Sequence, residues 1–103
     1  MASRQRRVVW SRGARRELEA AISHVAEEAP NAARALLERL LTTAASLATM
    51  SERGRIVPER GDPAVRELLV EPYRLVYSVG AAEIVVLGLI HQRQDYERWR
   101  DAR

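Results

Sequence analysis

Three β-type segments with very short connections most constrain what this chain can fold into. Residues 65–70, 73–79 and 83–90 are rich in Val, Leu, Ile and Tyr, and only two or three residues separate one segment from the next. Such links are too short for the crossover that parallel neighbours require, whereas antiparallel strands are joined by tight turns. The sequence therefore predicts a three-stranded antiparallel meander. Its last segment, EIVVLGLI, is almost wholly apolar, which favours a central position in the sheet.

Two amphipathic helices precede the meander. After Ser11, whose hydroxyl is predicted to cap the first helix, Leu18 and Ile22 begin an apolar pattern at helical spacing. Pro30 ends this helix and can open a second, because the first turn of a helix does not need the missing amide. The second helix is leucine-rich and is predicted to continue to about Met50. We therefore expect an antiparallel helical hairpin.

The remaining segments complete an α+β domain. Residues 7–10 (RVVW) form a short β-type run, residues 51–63 carry the Gly and Pro content of a loop, and residues 96–103 are compatible with a short C-terminal helix. The predicted order is β-α-α-β-β-β, with the helical hairpin packed on one face of a small, mostly antiparallel sheet. The 103 residues fit one domain that spans residues 1–103.

The composition excludes several classes of function. Cysteine is absent, so disulfides and thiolate metal sites are excluded, and the two histidines lie too far apart in sequence to indicate a metal site. We find no glycine-rich nucleotide-binding motif and predict no cofactor. No apolar run approaches the ~20 residues that a membrane span needs, and the start MASRQRRVVW is not followed by the apolar region of a secretory signal. Together with the absence of cysteine, this favours a cytoplasmic protein.

All 17 basic residues are arginine, and three of them mark a candidate binding surface. Because side chains alternate along a strand, Arg74, Val76 and Ser78 share one face of the meander. The helical hairpin can cover only one side of the sheet, so we expect the face of Arg74 to be free. Arg66 on the preceding strand and Arg93 after the last strand supply further guanidinium groups, which suit carboxylate or phosphate.

Several motifs resemble the RelE/ParE superfamily of toxins from type II toxin–antitoxin systems. They are RELLV at residues 66–70, YRLVY at residues 73–77, HQRQD at residues 91–95, and a Gly-Arg-x-Val-Pro-Glu loop at residues 54–59. The first and third motifs resemble the ParE branch more closely. The resemblance covers most of the chain and implies the fold order given above. It also implies a cognate antitoxin as partner, in a hetero-oligomeric complex.

The two branches of the superfamily imply different targets. A ParE-like toxin inhibits DNA gyrase, whereas a RelE-like toxin is an endonuclease that cleaves mRNA on the ribosome. Arg74 and Arg93 match basic positions of the RelE-like site, and His91 is a candidate acid or base there. The lysines of the RelE-like site are missing from this sequence. That site also has a tyrosine near the C-terminal end, and the residue of this chain nearest to its position is Trp99. An indole donates a hydrogen bond but is neither an acid nor a base near neutral pH.

The sequence therefore favours a ParE-like gyrase inhibitor that is neutralised by an antitoxin. In that case Arg66, Arg74 and Arg93 bind partners and the chain is not an enzyme. Two alternatives stay open. One is a ribosome-dependent mRNA endonuclease with Arg74, Arg93 and His91 as catalytic residues. The other is a chain that has lost its toxicity and serves only in a DNA-binding complex with its antitoxin.

Overall fold

The predicted meander lies at the centre of a five-stranded sheet. A computed structural model describes residues 5–103. In chain order its elements are β1 (Arg7–Trp10), α1 (Arg12–Ala26), α2 (Pro30–Ser46), β2 (Arg55–Ile56), β3 (Val65–Val70), β4 (Tyr73–Val79), β5 (Glu83–His91) and α3 (Tyr96–Asp101). The strand order is β1-β5-β4-β3-β2, in which β1 pairs parallel with β5 and the other neighbours are antiparallel. The α+β order and the short C-terminal helix are confirmed.

The two long helices begin where the sequence predicts. The Ser11 hydroxyl accepts a hydrogen bond from the amide of Ala14 at 3.0 Å, and Pro30 occupies the first turn of α2. The second helix ends at Ser46, earlier than predicted, because the next amides turn back three residues: Leu47 donates to the carbonyl of Ala44. Within residues 5–103, no helix is long and apolar enough to cross a membrane.

The main core lies between the helical hairpin and the sheet. Its largest fully buried side chains come from α2 and the residue that caps its end, and from β4 and β5, namely Leu40, Leu47, Leu75, Tyr77, Ile84 and Val86. Tyr77 places its hydroxyl at the edge of this core, where it accepts a hydrogen bond from the amide of Gly54 at 2.9 Å. A Cβ on Gly54 would lie 2.6 Å from this hydroxyl, so the close approach requires glycine. Burial raises the pKa of the Tyr77 hydroxyl.

The opposite face of the sheet is covered, which corrects the expectation of a free face. Val76 does share a face with Arg74, as predicted, but it is fully buried in a second core with Val57, Ile90 and Tyr96. The cover comes from α3 and from the segment that follows β2, a two-residue strand that the sequence did not predict. The physical reason is apolar content: side chains of this size on both faces of a sheet need cover on both faces.

Candidate functional site

Arg74 lies inside a network of ion pairs on the second face. Its Nε donates to Oε1 of Glu67 at 2.6 Å, and its terminal nitrogens donate to the carboxylate of Glu59 at 2.9 and 3.3 Å. Arg55 donates to the second carboxylate oxygen of Glu67 at 2.6 Å. The guanidinium also lies over the Tyr96 ring, 5.4 Å from its centroid. These contacts leave the Arg74 side chain 14% exposed and that of Glu67 4% exposed.

Strand register explains how these residues meet. Glu67 pairs with Val76, so Arg74 is its diagonal neighbour on the same face of β3 and β4. Arg55 pairs directly with Glu67 from β2. Two guanidinium groups around one buried carboxylate satisfy the desolvated charge, which would otherwise be costly. The network is therefore built by the sheet itself and holds the Arg74 guanidinium inward, whereas Arg55 is 70% exposed.

The charges of the network stabilise one another. The hydrogen bond from Arg74 lowers the pKa of Glu59 below its ordinary value. Burial acts to lower the pKa of Arg74, but the hydrogen bonds to Glu59 and Glu67 outweigh it and raise that pKa. Both groups are therefore ionised across the neutral range, and the guanidinium of Arg74 can supply charge but no proton.

His91 lies on the other side of the sheet from Arg74. It pairs with Tyr73, and Arg74 pairs with Ile90, so alternation along β4 and β5 separates the two side chains. The imidazole packs edge-on against the Tyr73 ring at 5.4 Å, and its Nδ1 accepts a hydrogen bond from the amide of Arg93 at 3.2 Å. The side chain therefore closes the turn after β5.

Arg66 is also separated from Arg74. It pairs with Tyr77, on the face that carries the helical hairpin. Its guanidinium donates to the carbonyl oxygens of Gly54 and Pro63, each at 3.0 Å, and so ties the ends of the loop around β2 to β3. Arg66, Arg74 and His91 thus occupy three different surroundings and do not converge on one site.

Arg93 belongs to a groove that the sequence does not predict. The groove has a volume of about 1220 Å³ and runs between the first half of α1 and α3. We name it the α1–α3 groove; its lining includes six arginines, namely Arg16, Arg60, Arg93, Arg98, Arg100 and Arg103.

Glu17 joins the two walls of the α1–α3 groove. One carboxylate oxygen accepts from the Leu89 amide at 3.1 Å, beyond the point where β1 stops pairing with β5. The other accepts from the Trp99 indole at 2.7 Å and from Arg103 at 2.6 Å. Gly88 makes room for this arrangement, since a Cβ there would collide with the Trp99 ring and the Glu17 carboxylate. The floor of the groove is thus occupied by contacts within the chain.

Comparisons with known proteins agree with this geometry. A comparison with curated protein sequences finds no match. Among solved structures, the chain is similar to one from the chromosomal ParDE toxin–antitoxin system of P. aeruginosa, with a TM-score of 0.71 and 24% sequence identity over 86% of this chain and 98% of that one. This similarity supports the fold. The family model described as the ParE toxin of the parDE type II toxin–antitoxin system matches residues 8–96. Because that match spans most of the sequence, the chain belongs to the ParE toxin family.

Proposed function

We propose that this ParE-family toxin inhibits DNA gyrase and is neutralised by a cognate antitoxin, with both interactions in the cytoplasm. The observation that carries the choice of target is the enclosure of Arg74. The RelE-like alternative needs this guanidinium on an open surface that meets mRNA, but Glu59 and Glu67 hold it in the network, where 14% of the side chain is exposed. A protein-binding toxin has no such requirement.

The other candidate catalytic groups support the same choice. RNA cleavage gains typically ~10²–10⁴ in rate from a general acid and base placed around one phosphate. His91 is the single imidazole near β5, and it lies on the opposite face of the sheet from Arg74. Trp99, at the position nearest the late tyrosine, donates its indole N–H to Glu17. The proposed function is therefore inhibition by binding, without catalysis.

A supercoiling assay with purified gyrase tests this function. We expect the full-length toxin to stop supercoiling of relaxed plasmid, with an accumulation of cleaved DNA. Full supercoiling activity at a large molar excess of folded toxin would contradict the proposal. Mapping of mRNA ends on translating ribosomes tests the alternative: specific cuts that disappear in Arg93→Ala would replace gyrase with the ribosome as target.

We propose that the antitoxin covers apolar side chains that the fold leaves at the surface. Leu41, Met50 and Leu69 are 45%, 52% and 59% exposed, and Leu69 lies beside Arg74 on the edge of the ion-pair network. An antitoxin segment with apolar side chains would cover Leu69, and an acidic side chain beside them would meet Arg55, which is 70% exposed. We expect the product of the neighbouring reading frame to restore growth and to form a hetero-oligomer with the toxin. Growth arrest that persists when both proteins are soluble would contradict this pairing.

A further inference from the structure

Arginine dominates the lining of the α1–α3 groove. Six arginines line it together with two acidic residues, Glu17 and Asp95. Three further acidic residues, Asp62, Glu97 and Asp101, pair with Arg60 and Arg100 from outside the lining. The groove can therefore attract an anionic partner only through the lining arginines that stay unpaired.

Three of the lining arginines have no side-chain partner among residues 5–103. Arg100 pairs with Glu97, Arg103 pairs with Glu17, and Arg60 lies 3.9 Å from Asp62. In the described part of the chain, the exposed guanidinium groups of the other three, Arg16, Arg93 and Arg98, make neither a hydrogen bond nor an ion pair. They lie on three different parts of the fold: Arg16 on α1, Arg93 in the turn after β5, and Arg98 on α3. Their charges converge on one opening and are available to a ligand.

We propose that the α1–α3 groove binds the sugar–phosphate backbone of double-stranded DNA. Duplex DNA carries one negative charge per ~1.7 Å of its axis, so several separately mounted guanidinium groups can each reach a phosphate. A protein chain would need acidic residues at matching irregular intervals. Guanidinium forks also fit phosphate geometry. Trp99 and Glu17 on the floor of the groove already bond to each other, so the arginines at its rim make the contacts to DNA. These arginines contact phosphates and not base edges, and binding is therefore independent of base sequence.

This inference goes beyond the proposed action on gyrase, although the two are compatible. Gyrase works on DNA, and a toxin that contacts both the enzyme and the DNA backbone would gain affinity for the complex over either component alone. The binding assay below contains no gyrase. If the toxin does not bind DNA in that assay, the proposed inhibition of gyrase is unaffected. If the toxin binds DNA but does not inhibit gyrase, the DNA-binding proposal stands and the proposed function is refuted.

Fluorescence anisotropy with the full-length toxin and a short labelled duplex of arbitrary sequence tests the proposal. Three phosphate contacts give an expected slope of about −2.7 for log Kobs against log salt concentration. The affinity should therefore fall by about 40-fold between roughly 50 and 200 mM salt. The absence of measurable binding to the wild-type toxin at the lower salt concentration would overturn the proposal without any variant.

Two triple variants separate the groove from overall charge. The groove variant is R16Q/R93Q/R98Q, and the control R34Q/R39Q/R53Q removes the same charge from α2 and the loop after it, outside the groove lining. We expect the groove variant to lose at least tenfold in affinity and most of its salt slope, and the control to keep both. If both variants lose the same affinity for DNA, the effect comes from net charge alone, and the groove is not the binding site. Poly-glutamate that outcompetes the duplex at equal charge would assign the groove to an acidic protein instead. Thermal melting confirms that both variants are folded.

Discussion

Replacement of the buried ion pair between Glu67 and Arg74 separates a structural role of this arginine from a functional one. Glu67→Gln leaves a guanidinium that is 14% exposed with only the more exposed Glu59 as a charged partner. Removal of one member of a buried pair typically costs ~3–5 kcal/mol. Because Glu59 remains, we expect about 2–3 kcal/mol for Glu67→Gln, and a similar loss for Arg74→Met, which leaves Glu67 with only Arg55.

The double variant Glu67→Leu/Arg74→Met should recover most of that loss. Its side chains would join an apolar face that already holds Val76 and Ile90, and exchange of a buried pair for apolar groups of similar size is often neutral. Urea denaturation should place the double variant within about 1 kcal/mol of wild type, and each single variant should melt roughly 10–20 °C lower. Glu83→Gln is the matched control, because its pair with Arg7 is exposed and worth less than about 1 kcal/mol.

The same variants test function. If Arg74 is structural, the double variant inhibits gyrase at wild-type concentrations. A double variant that is folded and stable but inactive would assign Arg74 to a working surface. A loss below about 0.5 kcal/mol for Arg74→Met would refute the energetic argument, since a surface substitution has an effect of that size.

Three further predictions concern α3 and the pH dependence of stability. Glu17→Ala should destabilise the protein by about 2 kcal/mol, because a main-chain amide of β5 and the Trp99 indole both lose their acceptor; a red shift of tryptophan emission would report the release of α3, and unchanged emission and stability would contradict the role of Glu17. Gly88→Ala should cost about 2 kcal/mol in urea denaturation through overpacking, and a neutral result would mean that the indole can move aside. The pKa of Glu59 is lower in the folded state than in the unfolded chain, so its pair with Arg74 stabilises the fold above the unfolded pKa. This stabilisation is lost as the pH falls through the folded pKa, so Glu59→Gln should make the free energy of unfolding less dependent on pH on the acid side. An unchanged pH dependence in the variant would show that Glu59 does not contribute to it.

The sequence predicts the elements of this fold well because local patterns determine them. The short links around Glu71 and Gly80 impose antiparallel pairing, and Pro30 separates the helices. The face of Arg74 also follows from alternation alone. What alternation does not give is the cover over that face, because Tyr96 and Val57 reach it from distant parts of the chain.

The pairing of Glu67 with Arg74 could have been predicted from the sequence. Once the link at residues 71–72 fixes the register of β3 and β4, the two residues are diagonal neighbours, and opposite charges at that distance attract. The α1–α3 groove could not be predicted from the sequence. Arg16 and Arg98 are brought together by the docking of α3, which depends on Glu17 and on the open edge of β5 beyond the end of β1.

The parallel strand β1 has a consequence for the synthesis of the toxin in the cell. Its partner β5 follows 76 residues later along the chain, as the contact between Arg7 and Glu83 shows. Closure of so long a loop is slow compared with formation of the neighbouring meander. A ribosome must therefore release nearly all of the described chain before either hydrophobic core can close, since β5 contributes to both. A folded molecule, which is the form that an antitoxin or a target would recognise, therefore exists only after β5 has left the ribosome, however early β1 and the helices emerge.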